Sequence, residues 1–336
     1  MKRLGTALFV SGLLLAMAMA IPGHPLAQGA EKPVQLKIAT LDVGSSWYGY
    51  GATFAELIGK ELPKGSRVDV LPFSGSIGNP KLINRGEADM GLAMGVAANW
   101  AYNGKFMFDQ KYQDLRALVG GIDQYYYAII VREELKLNSL KELKEKKIAV
   151  KIVTQPEGTL NAVMSYQVLD AYGLTKEDIK KFGGTITHTS TDVIAADMRD
   201  GRANVWFQPA TLGHPSITDV AIATKIKFLP YEPEIVSKLA DQYGFSPATL
   251  PAGSFQGQKE AVPMIGYTTC LITSKNMPDS VAYAVTKALC DGEKKLKTIY
   301  KGMRALNPAT AWDPKVTGLP LHPGAEKYYK EKGYVK

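Results

Sequence analysis

Asn84-Arg85-Gly86-Glu87-Ala88-Asp89-Met90-Gly91-Leu92-Ala93 returns in altered form as Arg199-Asp200-Gly201-Arg202-Ala203-Asn204-Val205-Trp206-Phe207, with Gly201 standing 115 residues after Gly86. Each phrase reads as a helix closed by Gly, a tight turn and a short apolar strand. Gly adopts the left-handed backbone that ends helices, and the strand after it is apolar enough to be buried on both faces. Such turns are common in α/β proteins, but each of these also follows a Gly- or Ser-containing loop able to open a helix. One α/β unit used twice predicts two similar lobes, and two lobes make a cleft.

From Val34 onward, apolar strands alternate with helical segments, which predicts an α/β fold with largely parallel sheets. Strands are expected over residues 36–40, 68–72, 90–94, 115–121 and 125–131, with helices over 47–61 and 77–85. The two apolar pieces flanking Ile122-Asp123-Gln124 would cross from one lobe to the other. Beyond them, Ser139-Leu-Lys-Glu142 has the spacing of a capping box, and Thr175-Lys-Glu-Asp178 would cap another helix. Strands at 147–153, 186–188, 204–207 and 226–229 alternate with helices at 159–172, 192–199 and 233–243. Residues 246–258, rich in Pro and Gly, read as an irregular connector. Residues 265–273 would return the chain to the first lobe, where a helix over 279–290 and the tail from Pro308 would pack. Lobe 1 is thus expected to hold residues 31–122 and 266–336, and lobe 2 residues 123–265.

The N-terminus reads as a leader. Lys2-Arg3 precedes an apolar run ending near Pro22, and Ala18, Ala20 and Ala27 offer cleavage points, so residues 1–27 are expected to be a secretory signal peptide. The run is barely long enough for an anchor and has no basic stop signal after it. Export to the periplasm follows. Without Lys2 and Arg3, 38 basic residues face 32 acidic ones, a dispersed excess with no stripe suited to nucleic acid. Cys270 lies in a buried-strand pattern and Cys290 ends a helical one, so two buried thiols are expected rather than a disulfide. No metal spacing surrounds them.

Three strand-to-helix loops carry small hydroxyl residues: Gly44-Ser45-Ser46-Trp47-Tyr48, Ser74-Gly75-Ser76-Ile77-Gly78-Asn79 and Thr154-Gln155-Pro156-Glu157-Gly158-Thr159. Each presents unpaired N–H groups at the positive end of a helix dipole, where a carboxylate or another oxyanion binds. Ordinary N-capping explains any one such loop. Three at equivalent places in two lobes point to a ligand. Trp47, Tyr48 and the Tyr125-Tyr126-Tyr127 run supply aromatic surface, with Tyr126 on the opposite face from its neighbours, and Gln208 follows the second echo. Catalysis lacks support: His188, His214 and His322 sit in no recognisable motif, and nucleophile elbows, zinc-protease helices and phosphate-binding loops are absent from the sequence. No cofactor is expected.

These residues resemble the TAXI family, the solute receptors of tripartite ATP-independent periplasmic (TRAP) transporters. The resemblance rests on Thr40-Leu-Asp-Val-Gly-Ser-Ser-Trp-Tyr-Gly49, on Gly75-Ser76 with Asn79, on Gly86 to Asp89, on Gly213-His214-Pro215, on Gln258 with Val262-Pro263, and above all on Leu321-His-Pro-Gly-Ala-Glu-Lys-Tyr-Tyr-Lys-Glu-Lys-Gly333. It implies a two-lobed, type II-like Venus-flytrap binding protein, two mixed mainly parallel sheets joined by a hinge. Such a protein hands a glutamate-like amino acid or a C4–C5 organic acid to a membrane permease driven by an ion gradient. It also implies ligand-facing roles for Ser45, Ser46, Tyr48, Ser74, Ser76, Asn79, Thr159 and Gln208. Asp42 and Glu157 depart from the family pattern and would repel a dicarboxylate, or pair with an ammonium, if they faced the cleft. A periplasmic receptor for a signalling partner and an exported hydrolase are the competing classes.

Overall fold

The computed structural model describes residues 32–43 and 45–336. The expected leader and Gly44 lie outside the described residues. The chain runs β1 (Gln35–Ala39), α1 (Ser46–Glu61), β2 (Arg67–Leu71), α2 (Gly75–Asn84), β3 (Met90–Met94), α3 (Gly95–Asn103), β4 (Leu115–Val119) and β5 (Gln124–Arg132). Next come α4 (Lys141–Lys146), β6 (Lys151–Thr154), α5 (Leu160–Ala171), α6 (Lys176–Lys181), β7 (Thr185–His188), α7 (Thr191–Asp200), β8 (Val205–Ala210), α8 (Pro215–Ala223), β9 (Ile226–Leu229), α9 (Pro233–Tyr243) and β10 (Ser246–Leu250). The path closes with β11 (Val262–Ser274), α10 (Asp279–Asp291), α11 (Glu293–Ile299), α12 (Pro314–Thr317) and α13 (Pro323–Glu331).

The echo is structural. Helix α2 ends before Gly86 at φ 71°, and α7 ends on Gly201 at φ 74°; both glycines take the left-handed conformation. The strands that follow occupy matching places, β3 parallel to β1 and β8 parallel to β6. Strand order is β2-β1-β3 on one side and β8-β6-β7 on the other, with β11 and β5 between. The expectation of mainly parallel sheets needs correction, because parallel pairing is confined to those two flanking sets. The middle is antiparallel: β11 pairs with β3, β4, β5 and β10, and β5 pairs with β8 and β9. Strand β11 is long enough to serve both sides, giving residues 262–268 to β5 and β10 and residues 269–274 to β3 and β4.

Two other expectations shift. Residues 246–250 of the supposed connector form β10, which accommodates Pro247 because it pairs only with β11 and its other edge is free. The Ser139–Glu142 box does not close. Helix α4 starts one residue later, the Ser139 hydroxyl donates to the Glu232 carboxylate while accepting from Lys141 N–H, and Glu142 takes the Asn138 N–H at 3.2 Å. The Thr175–Asp178 box does form. Helix α3 was not foreseen. Cys270 and Cys290 are buried free thiols. The C-terminal tail is tied to β4 by Ala117 N–H to Pro320 O (2.9 Å) and His322 N–H to Ala117 O (3.0 Å). No helix among the described residues is long and apolar enough to cross a membrane.

Asp123 sits where β4 passes into β5. Its carboxylate accepts the Thr269 N–H at 3.0 Å while Thr269 O accepts Ile122 N–H, so the crossing is clamped to β11 at the point where that strand changes partners. Burial lifts the Asp123 carboxyl to about 6, because its second oxygen has no partner to stabilise charge. A folded-state value above the unfolded one means that the native protein holds this proton longer. Its contribution to stability is therefore fullest below pH ~4 and is lost as the pH rises through about 6, by up to about 3 kcal/mol. Equilibrium unfolding of Asp123→Asn between pH 4 and 8 should lack that decline relative to the parent protein; an identical pH profile in the two would contradict the assignment.

Candidate functional site

Helix α2 begins where β2 ends, and the chain there is unusually tight. Gly75 has φ 59°, and a Cβ on it would lie 3.0 Å from the Leu41 side chain. Ser74 precedes the helix without capping it through its side chain, so the first-turn N–H groups are left to other partners. Ser76 accepts the Met94 N–H at 3.0 Å and keeps its own O–H available. Asn79 is different. Its side-chain amide donates to Ala39 O (3.1 Å), Thr40 O (3.0 Å) and Leu92 O (2.8 Å), and the residue is fully buried. It fastens α2 to the end of β1 and the middle of β3 and does not line the cavity predicted for it.

Helix α5 repeats the device. Thr159 caps it, accepting Ala162 N–H and donating to Pro156 O. Asn161 donates to Phe207 O at 3.2 Å and to Thr154 Oγ1 at 3.4 Å. Tyr127 O–H donates to Asn161 O. The preceding loop is braced from behind: His188 Nδ1–H donates to Gln155 O at 2.9 Å, His188 Nε2 accepts from the Tyr166 hydroxyl at 2.8 Å, and Gln155 Nε2 donates to Thr191 Oγ1.

These helix starts meet at one cavity of about 430 Å³, within the size range of small-molecule sites. Trp47 of α1 contributes, as do Ser74, Gly75 and Ser76 at α2 and Gln155, Gly158 and Thr159 at α5. All seven were predicted. Of the rest of the lining, Ile77 falls inside the second predicted loop and Pro209 directly follows Gln208, whereas Leu41, Met94, Leu160, Met164, Asn161 and Tyr267 were not nominated. Only Tyr267 had a legible signal, an aromatic on the long strand that returns across the middle. A larger groove of about 590 Å³ near Phe228 and Pro263 draws on no helix start.

The remaining candidates lie elsewhere. Ser45 caps α1 by accepting the Tyr48 N–H, and Ser46 is exposed. Neither they nor Tyr48 line the cavity. Tyr126 is packed in the core, Thr154 is fully buried, and Gln208 Nε2 lies 3.3 Å from His214 Nε2. Asp42 is exposed, and the Glu157 carboxylate is 69% exposed, 3.6 Å from His188 Nε2. Neither acid lines the cavity.

The lining carries no Lys, Arg, His, Asp or Glu. The polar atoms of its two aromatic rings are enclosed rather than open to that space. Tyr267, 4% exposed, has an unpartnered hydroxyl, and burial holds its pKa well above the usual phenol value, so it stays a neutral donor. Trp47, 2% exposed, turns its indole N–H toward the Tyr125 hydroxyl. Tyr125 stacks on Tyr267 with ring centroids 5.5 Å apart and holds that ring in place. Two helix N-termini at an uncharged lining suit an oxyanion.

A model of the NMT1-like family matches residues 38–333, and the chain belongs to that family. Among solved structures, it is similar to PhnD1 from Prochlorococcus marinus in complex with methylphosphonate (12% identity, covering 90% of this chain and 100% of that one, TM-score 0.53). It is also similar to MatC from Rhodopseudomonas palustris with bound malate (12%, 91% and 100%, TM-score 0.52) and to a TctC solute-binding protein from Polaromonas (14%, 90% and 96%, TM-score 0.51). At such identities the likeness is one of fold, the α/β fold of periplasmic binding proteins.

Asn79→Ala separates the structural role from a ligand contact. The substitution leaves three buried carbonyls without their donor and should cost about 2–3 kcal/mol in urea unfolding. Ligand affinity of the folded protein should stay within about threefold, since each such factor is worth under 1 kcal/mol. Lost affinity at unchanged stability would return Asn79 to the ligand shell.

Proposed function

We propose that this member of the NMT1-like family is a periplasmic solute receptor of the TAXI type, which captures a small carboxylate and delivers it to a TRAP permease driven by an ion gradient. The observation that carries this reading is the single cavity to which the starts of α2 and α5 both contribute, with hydroxyl side chains at both helix starts and no Lys, Arg, His, Asp or Glu among the described lining residues. The resemblance of the first loop and the C-terminal phrase to TAXI receptors supports the transporter class, and the leader sequence supports a periplasmic location.

In this mechanism lobe 1 (31–122 and 266–336) and lobe 2 (123–265) close about the crossings at Asp123 and β11. The carboxylate docks on helix N-termini and hydroxyls, and closure removes water. Each hydrogen bond to the anion then strengthens in the lower dielectric. Closed and open forms present different surfaces to the permease, so ligand binding selects the form that docks.

Uptake into membrane vesicles that carry the partner permease tests this. Transport of the ligand identified by mass spectrometry of the purified receptor should require the receptor and collapse when the ion gradient is dissipated. ATP-driven uptake would move the protein to another transporter class. Uptake independent of the receptor, with a sensor kinase responding to the ligand instead, would favour the signalling role.

A further inference from the structure

We propose that the face built on α11 and the turn after it docks on an anionic bilayer surface. This goes beyond the proposed function, and its test needs no solute.

The positive excess that is dispersed along the chain is gathered by the fold. Residues 31–122 and 266–336 hold 22 basic against 15 acidic residues, whereas residues 123–265 hold 16 against 17. Within the first set, Lys294-Lys-Leu-Lys-Thr-Ile-Tyr-Lys-Gly-Met-Arg304 carries five cations and no acid. Ion pairs join this stretch to its neighbours in one connected network. Lys295 reaches Glu56 of α1 at 2.9 Å, and Lys60 reaches the same carboxylate at 2.7 Å. Lys287 of α10 lies 2.6 Å from Glu61 and 3.6 Å from Asp291, and Lys332 at the end of α13 lies 3.1 Å from Asp291. Lys297 pairs with Glu293. Every acid of the network is therefore matched by at least one lysine, and Lys60 and Lys295 hold the Glu56 carboxyl down at about 2. Lys294, Lys301 and Arg304 are surplus. All three are exposed and form no ion pair among the described residues.

The stretch is a firm platform. Leu296 and Met303 are fully buried, and the Tyr300 hydroxyl donates to Gly49 O at 2.7 Å while its ring meets Tyr50 edge-on at 4.8 Å. Ile299 alone among its aliphatic side chains stands out, 48% exposed between the cations.

These residue types favour lipid over an acidic protein. Protein interfaces are poor in Lys and rich in Arg and aromatics, because an ammonium is strongly hydrated and makes no bidentate bond. Four of the five cations here are Lys. A bilayer asks only for positive charge within a Debye length of its phosphates, and it offers Ile299 an apolar layer beneath them. Each cation near such a surface multiplies partition about fivefold, so the three surplus ones supply on the order of 100-fold.

Sedimentation of the mature chain with vesicles of phosphatidylcholine, alone or mixed with phosphatidylglycerol at about 2:1, tests this. At low salt the mixed vesicles should bind at least ~10-fold more protein, and about 1 M salt, where the Debye length is about 3 Å, should abolish the difference. Lys294→Gln/Lys301→Gln/Arg304→Gln should weaken binding to the mixed vesicles ~100-fold, with Lys301→Glu/Arg304→Glu as the substitute should the triple variant not fold. Lys147→Gln/Lys176→Gln/Lys181→Gln, which removes three exposed lysines elsewhere, should stay within about twofold of the parent. Equal binding to both vesicle types, equal loss in the two triple variants, or no loss in the first would overturn the proposal. Mixed vesicles left unbound by the parent chain, with the first variant impaired in uptake into permease-bearing vesicles, would assign the face to an acidic protein surface and overturn the lipid reading.

Discussion

Two side-chain amides hold the candidate site together. Asn79 ties the first turns of α2 to the end of β1 and the middle of β3, and Asn161 ties α5 to the Thr154 hydroxyl at the end of β6 and to Phe207 O in β8. Hydrogen bonds of this kind, made in a buried setting, are expensive to lose. They fasten both helices whose first turns face the cavity, α2 after Ser74 and α5 after the braced loop before Thr159. The antiparallel middle of the sheet does the corresponding work between the flanking sets, with Asp123 clamping β11 where it changes partners.

That arrangement stabilises negative charge without positive side chains. Helix N-termini and hydroxyls supply fixed dipoles, whose cost of orientation is met when the chain folds rather than when the ligand arrives.

Much of this was legible in the sequence. The Gly86 and Gly201 phrases located the two matching β-α-β sets, since a left-handed Gly between an amphipathic helix and an apolar strand leaves little freedom in what forms. Hydroxyl-rich loops located the helix starts, and seven of the residues they nominated line one cavity. Three kinds of feature were not legible. Asn79 and Ser45 looked like ligand contacts because a polar residue near a loop has the same appearance whether it binds solute or backbone. The apolar lining of the cavity was hidden because Leu41, Met94 and Met164 are indistinguishable in sequence from core. The antiparallel middle was obscured because buried strands read as continuous apolar runs in either direction.

A crystal structure of the protein with its co-purified ligand tests the central claim most directly. The account predicts a carboxylate oxygen within about 3 Å of backbone N–H groups in the first turn of α2 or α5, with no Lys or Arg in contact. An anion held by a basic side chain, or seated away from both helix starts, would contradict it.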